Sequence, residues 1–177
     1  MDIEQFVARS LGVWRSMRTG HSLAFQQFED VLSEISIQSL DQNDGLVAEL
    51  IDSVQFQVSD VKHPFKMEWS AESDWEPDDP NEVAKGSCVL LPIPEDNISG
   101  QLIRSMGYAE AQPAISKYTF SSDGCFLLTT NYDQSIAEER IWFVSDNVRC
   151  RSSVLRTSAG SGVLQTSFAS EVRRLSQ

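Results

Sequence analysis

From Phe65 to its C-terminus the chain is written in short β-rich segments separated by turn clusters, and this pattern limits the fold more than any other feature. PFKMEWSAESDW sets Phe65, Met67 and Trp69 against Lys66, Glu68 and Ser70, the period-two alternation of a half-buried strand. KGSCVLLPIP, GQLIRSMGY, AISKYTFSS, CFLLTTNY, EERIWFVS, RCRSSVLRT and GVLQTSFASEVRR follow, punctuated by PEDN, SSDG, YDQS, SDN and SAGSG. Short turns between consecutive strands make a meander. With the strands before Phe65 the count reaches eight to ten, and an antiparallel meander of that size removes its unpaired edges by closing into a barrel. Such a barrel has an interior wide enough for one small ligand, so the question of function becomes what lines the cavity.

The first sixty residues are less regular. Residues 2 to 17 place Ile3, Phe6, Val7, Leu11 and Trp14 at spacings of three and four behind an N-cap candidate, Asp2, which predicts an amphipathic helix. In Leu23 to Leu40, Phe25, Phe28, Leu32 and Ile35 fit a helical stripe while Ile35, Ile37 and their polar neighbours alternate, and a strand is favoured over the later part. DQNDG is a turn cluster, and Leu46, Val47, Leu50, Ile51 and Val54 predict a short second helix. The expected fold is therefore mostly β, an antiparallel up-and-down barrel with an N-terminal helix and a second short helix, with residues 1–177 forming one domain.

Charge narrows the partners. The 177 residues carry a net charge of −12, all of it in residues 1–100, where 6 Lys+Arg face 19 Asp+Glu; residues 101–177 hold 8 and 7. Phosphate backbones and anionic lipid surfaces repel such a chain, so neither a nucleic acid nor a membrane is expected as partner. ESDWEPDDPNE (72–82), with two prolines and six acids, reads as a solvated loop between strands. No stretch approaches ~18 uninterrupted apolar residues. The three cysteines, Cys88, Cys125 and Cys150, form no CxxC pair, which argues against a disulfide framework or thiolate zinc site and for a reducing, intracellular compartment. GxSxG, HExxH, GxxxxGK[ST] and GxGxxG are all absent, and His21 and His63 cannot make a three-histidine site, so no metal is expected.

Arginine is the informative residue type. Arg149 and Arg151 lie two apart on a predicted strand and share a face, with Cys150 on the other and Trp142 and Phe143 on the neighbouring strand. Turned inward, two guanidinium groups need anions, and arginine recognises carboxylates bidentately; turned outward, they are solvated and Cys150 packs inside. A second cluster, WRSMRTGHS (14–22), reads either as a helix C-terminus whose cations complement the helix dipole or as a lid over a barrel mouth carrying Arg18 and His21. Trp69 and Trp75 are either core or stacking surfaces for a flat conjugated ligand. Glu171, on the last strand, is either solvated or an inward carboxylate beside the arginines.

WRSMRTGHSLAFQQFE, MEW, GQLIRSMGYAE, EERIWFVSDNVRCRSSVL and SFASEVR, in that order along nearly the whole chain, resemble the S-type (CpcS/CpeS) phycobiliprotein bilin lyases. Thr19 in place of the serine of the early motif, Cys150 between the two arginines, and the lack of a cysteine in AELIDS are departures that blur the subtype.

The resemblance implies a lipocalin-like barrel, similar to fatty-acid-binding proteins, that takes an open-chain bilin, phycocyanobilin or a relative, as substrate and attaches it through a thioether to a cysteine of a phycobiliprotein subunit. It implies no permanently bound cofactor. It further implies propionate and lid contacts for Arg18, His21, Arg149 and Arg151 and stacking on Trp69 and Trp75. Catalytic parts fall to Glu171, toward the pyrrole N–H groups, and to Arg149.

The implied partners are apo-subunits of phycocyanin, allophycocyanin or phycoerythrin type, and a second copy or a paralogous lyase subunit. The implied location is the cyanobacterial cytoplasm, or the plastid stroma in an alga. The alternative is a non-catalytic bilin carrier or one half of a heteromeric lyase, and a carrier of fatty acid or haem is a third reading.

Overall fold

A computed structural model describes residues 1–54, 58, 60–72, 85–106, 113–160 and 162–175. The chain opens with helix α1 (Ile3–Ser10), strands β1 (Gly12–Ser22) and β2 (Gln27–Ser39), and helix α2 (Gly45–Ser53). Eight strands follow: β3 (Phe65–Glu72), β4 (Lys85–Pro94), β5 (Ser99–Arg104), β6 (Ala114–Phe120), β7 (Phe126–Asn131), β8 (Ser135–Ser145), β9 (Val148–Thr157) and β10 (Val163–Arg173). Every strand pairs antiparallel with its sequence neighbours, and β10 closes on β1, so the expected up-and-down barrel forms with ten strands.

One expected element is corrected. The helix read over residues 2–17 stops at Ser10, and Trp14, Arg15, Arg18 and His21 lie on β1, so the helix-terminus reading of WRSMRTGHS falls. The start is as expected: Asp2 and Gln5 form a reciprocal capping box. The stop has a local cause, because Gly12 sits at φ +113°, a conformation that L side chains rarely adopt. Beyond it Trp14, Ser16 and Gly20 are buried at a period of two, and Leu11 and Trp14 had mimicked a helical stripe by chance of spacing. The strand favoured in the later part of Leu23–Leu40 reaches back to Gln27, and Phe25 and Phe28 are exposed.

The barrel interior divides along its axis. One end is filled with apolar side chains and plugged by α1, whose Phe6 stacks on Phe126 with centroids 4.2 Å apart and packs near Tyr118 and Phe120. Trp14, fully buried, marks the inner limit of this plug and donates its indole N–H to the carbonyl of Ser10 at 2.8 Å. α2 lies outside, burying Val47 and Leu50 against Val89, Leu91 and Ile103 of β4 and β5. β4 is thereby covered on both faces, which explains its unbroken apolar run CVLLPIP. The other end holds the cavity.

Candidate functional site

The cavity, of about 330 Å³, has two unlike walls. On β2 and β3, Val31, Ile35, Met67, Trp69 and Ala71 make an apolar wall. Trp69 extends across its neighbour because its partner on β4 is Gly86, where a Cβ would stand 2.2 Å from the indole. Facing it, β8, β9, β10 and β1 present charge. Strand register places Ser16, Glu171, Arg149 and Phe143 side by side on these four strands, all on the inner face.

Arg149 and Glu171 are among the most buried charged groups in the protein, 2% and 0% exposed, and the Arg149 Nε donates directly to Glu171 Oε2. The Ser16 hydroxyl donates to Glu171 Oε1 at 3.3 Å, and Arg151 Nη1 lies 3.6 Å from the same oxygen. Arg151 also reaches Glu139 Oε1 at 3.5 Å, and Glu139 Oε2 accepts from Arg104 Nη1 at 2.8 Å. Arg104 stands on β5, so this last pair spans β6 and β7, whose inward Ser116 and Thr130 are small and hydrogen-bond each other at 2.6 Å. The result is one alternating series: Arg104, Glu139, Arg151, Glu171, Arg149.

Burial pushes the Arg149 guanidinium down, Glu171 opposes that shift, and the like charge of Arg151 adds to it. Burial is the largest single influence on Arg104 and works in the same direction, but Glu139, Cys88 and Tyr132 together outweigh it and the group is raised. Arg149 also lies over the Trp14 ring, its guanidinium carbon 4.6 Å from the centroid.

The sequence candidates are distributed as follows. Arg151 and Glu171 line the cavity, Arg149 is buried behind them and bonded to Glu171, and Cys150 is on the outer face, which excludes the inverted strand. Burial, with Glu171 second, pushes the Cys150 thiol up. Arg18 lines the mouth, with its Nη2 bonded to Glu29 Oε1 at 2.9 Å. Trp69 lines the apolar wall. His21 is on the outer face of β1, exposed, with its ring 4.7 Å from that of Phe28, so the structure does not bring it into the cavity. Of the aromatic pair on β8, Phe143 is inside beside Arg149, whereas Trp142 is outside against Phe168. Trp75 and most of the acidic loop 72–82 lie outside the described residues.

Sequence reasoning missed Arg104 and Glu139. Both carried a signal, a charge on the apolar face of an alternating strand: Arg104 two after Leu102 in GQLIR, and Glu139 between Ala137 and Ile141 in AEERI. Among the described residues no group of three or more His, Cys, Asp or Glu side chains is placed to hold a metal ion. The cavity suits a flat, apolar molecule with carboxylates at one edge: dispersion and stacking on one wall, charge-assisted hydrogen bonds on the other.

The family model described as CpeS-like protein matches residues 2–174. A chromophore lyase CpcS/CpeS 3 of Trichodesmium erythraeum (strain IMS101) is 51% identical over 175 residues, covering 98% of this chain and 99% of its own. A putative phycoerythrobilin lyase CpeS of Microchaete diplosiphon is 44% identical over 161 residues, 89% of this chain and 71% of its own. The solved S-type phycobiliprotein lyase CPES from Guillardia theta superimposes with a TM-score of 0.83 at 38% identity, covering 100% of this chain and 95% of that one. The two-walled, arginine-lined barrel and these likenesses agree: the chain belongs to the CpeS-like family of S-type phycobiliprotein chromophore lyases.

Proposed function

We propose that this chain binds an open-chain bilin in the barrel cavity and attaches it to a cysteine of an apo-phycobiliprotein subunit. The observation that carries this is the pairing of an apolar, tryptophan-bearing wall with inward arginines inside one barrel mouth. The bilin's conjugated rings lie against Trp69 and Met67, and its propionates are held by Arg151, with Arg149 behind it and Arg18 at the mouth. The A-ring ethylidene then faces the acceptor. The acceptor's S–H adds across that double bond: sulfur bonds to the exocyclic carbon, the proton goes to the ring, and nothing is oxidised or reduced.

Such an addition needs orientation more than acid–base machinery, and holding the reactants in line supplies up to ~7–11 kcal/mol. Glu171, buried among the propionate-binding groups, stabilises positive charge on the bilin nitrogens.

Phycocyanobilin is the substrate proposed from the sequence, and phycoerythrobilin is the alternative that the name of the Microchaete relative brings. The test mixes purified protein, either bilin and an apo-subunit, with and without a paralogous lyase subunit. An acid-stable coloured adduct above the spontaneous background supports the proposal. Bilin binding without adduct formation in both arms makes the protein a carrier, and an adduct only with the paralogue makes it one half of a heteromeric lyase.

A further inference from the structure

β1 starts at the plug and ends at the cavity mouth, so its turn into β2 stands on the rim. SLAFQQF (22–28), which makes this turn, carries no charged residue in a chain that holds 26 Asp+Glu and 14 Lys+Arg. It gives its apolar side chains to water: Leu23 is 51%, Phe25 75% and Phe28 59% exposed. Val163, at the start of β10, is exposed beside them, because the Leu23 N–H donates to the carbonyl of Leu164 at 3.0 Å. His21, which does not enter the cavity, has its ring against that of Phe28 and belongs to the same patch. The β7–β8 and β9–β10 turns, at the same end of the barrel, are built differently. They are polar, and the Ser158 N–H donates to the Gln134 carbonyl at 3.0 Å, tying one turn to the other.

Contiguous exposed apolar side chains mark a surface that a partner covers, and aromatic residues carry much of the binding energy at such surfaces. The transfer reaction says which partner. The acceptor's sulfur must come within bonding reach of a bilin whose rings lie inside the barrel, so the acceptor has to seat on the mouth, and a protein seated there touches the β1–β2 turn. A second apolar face, Met17, Phe168 and Val172 on the outside of β1 and β10, is also exposed. It looks sideways from the barrel wall, and a protein bound there would hold its cysteine away from the mouth. We infer that the β1–β2 turn, through Leu23, Phe25 and Phe28, is the docking surface for the apo-phycobiliprotein subunit. It grips an uncharged, apolar area of the subunit next to the acceptor cysteine. The inference takes the identity of the partner from the bilin-transfer reading and deepens that reading.

The experiment compares the full chain with Phe25→Ser and with the double variant Phe25→Ser/Phe28→Ser. It reads the Kd for a bilin by absorption titration, the Kd for an apo-subunit without bilin by sedimentation, and kcat and KM for the apo-subunit in transfer. The double variant should weaken apo-subunit binding and raise its KM about tenfold to hundredfold, with the single variant in between. The bilin Kd, and kcat at saturating apo-subunit, should stay at the parent's values. Phe168→Ser, on the side face, should change none of these. Both rings of the turn are in water, so their loss leaves the urea midpoint near that of the parent and the fold is not at issue.

Unchanged apo-subunit affinity and KM in the double variant overturn the inference while leaving the bilin reading intact. A weaker bilin Kd at unchanged apo-subunit affinity overturns it in favour of a lid over the cavity, and altered sedimentation of the lyase alone overturns it in favour of a contact with a second copy. Loss of apo-subunit binding in Phe168→Ser and not in the turn variants moves the docking surface to the side of the barrel. A parent that binds the apo-subunit through the turn but binds no bilin overturns the bilin reading and leaves the docking surface standing.

Discussion

Arg149 and Arg151, two residues apart on one strand face, differ in what removal of each would leave behind. Arg149 is buried and bonded to a carboxylate with no exposure at all, so Arg149→Ala takes away the direct partner of Glu171, leaves it only the longer contacts with Ser16 and Arg151, and should cost about 3–5 kcal/mol, read as a lower urea midpoint. Arg151 is more open, with a side chain 24% exposed, and its contacts to Glu139 and Glu171 are longer, while each carboxylate keeps a second arginine. Arg151→Ala should therefore change stability by ~1 kcal/mol or less but weaken bilin binding roughly tenfold to hundredfold, the loss of one charge-assisted carboxylate pair. Equal stability loss in both variants would refute this division of labour. At Gly86, Ala puts a Cβ into the Trp69 indole; about 1–3 kcal/mol of overpacking and weaker bilin binding are expected by denaturation and titration, and a variant as stable and as tight as the parent would show that the indole moves freely.

Tyr118 gives a pH signature of the plug. Burial first, then Asp96 and Glu95, push its phenol up to about 12. The unfolded chain releases this proton near ~10, so the folded state holds more protons between the two values and stability falls as pH rises through that window. Its contribution is whole below about 10 and lost by about 12, and Tyr118→Phe should lack this alkaline loss when urea midpoints are compared. Parallel curves would contradict the assignment.

At the scale of elements, α1 does the work of a stopper and leaves the ligand end alone. Phe6→Ala removes a ring stacked on Phe126 and should cost ~3–5 kcal/mol, yet leave bilin affinity of the folded protein near that of the parent, because Trp14 stands between the plug and the cavity. A parallel loss of affinity would mean that the two halves of the interior are coupled.

The elements after Phe65 were legible because each strand has one face in the core and short turns on either side, so alternation appears directly in residues such as Phe65, Met67 and Trp69. β1 was not, since Leu11 and Trp14 continue the α1 spacing across Gly12, and only the alternation of Trp14, Ser16 and Gly20 betrays the strand. The Arg149–Arg151 face was legible as a pair but not as a direction, because Cys150 is as credible a core residue as a surface one. What fixes the direction is Glu171, brought beside Arg149 by the β9–β10 register, a relation between strands that no single segment carries.

For the whole molecule, the sign of the charge depends on where it is felt. The chain carries −12, whereas the charged wall of the cavity gathers Arg104, Arg149 and Arg151 around Glu139 and Glu171. A dicarboxylate ligand approaching from solvent meets the outer charge first and is repelled over the Debye length, about 30 Å at 0.01 M salt and about 8 Å at 0.15 M. Once inside, it meets the arginines at contact distance in a cavity where salt screens little.

Raising the salt over that range should therefore speed bilin association several-fold and leave dissociation nearly unchanged, the opposite of the slowing seen when opposite charges steer an encounter. Stopped-flow absorption at several ionic strengths reads both rates. An association rate that falls with salt would mean that the mouth, not only the interior, presents net positive charge to the incoming ligand, and would move the arginine field from the buried series to the rim around Arg18.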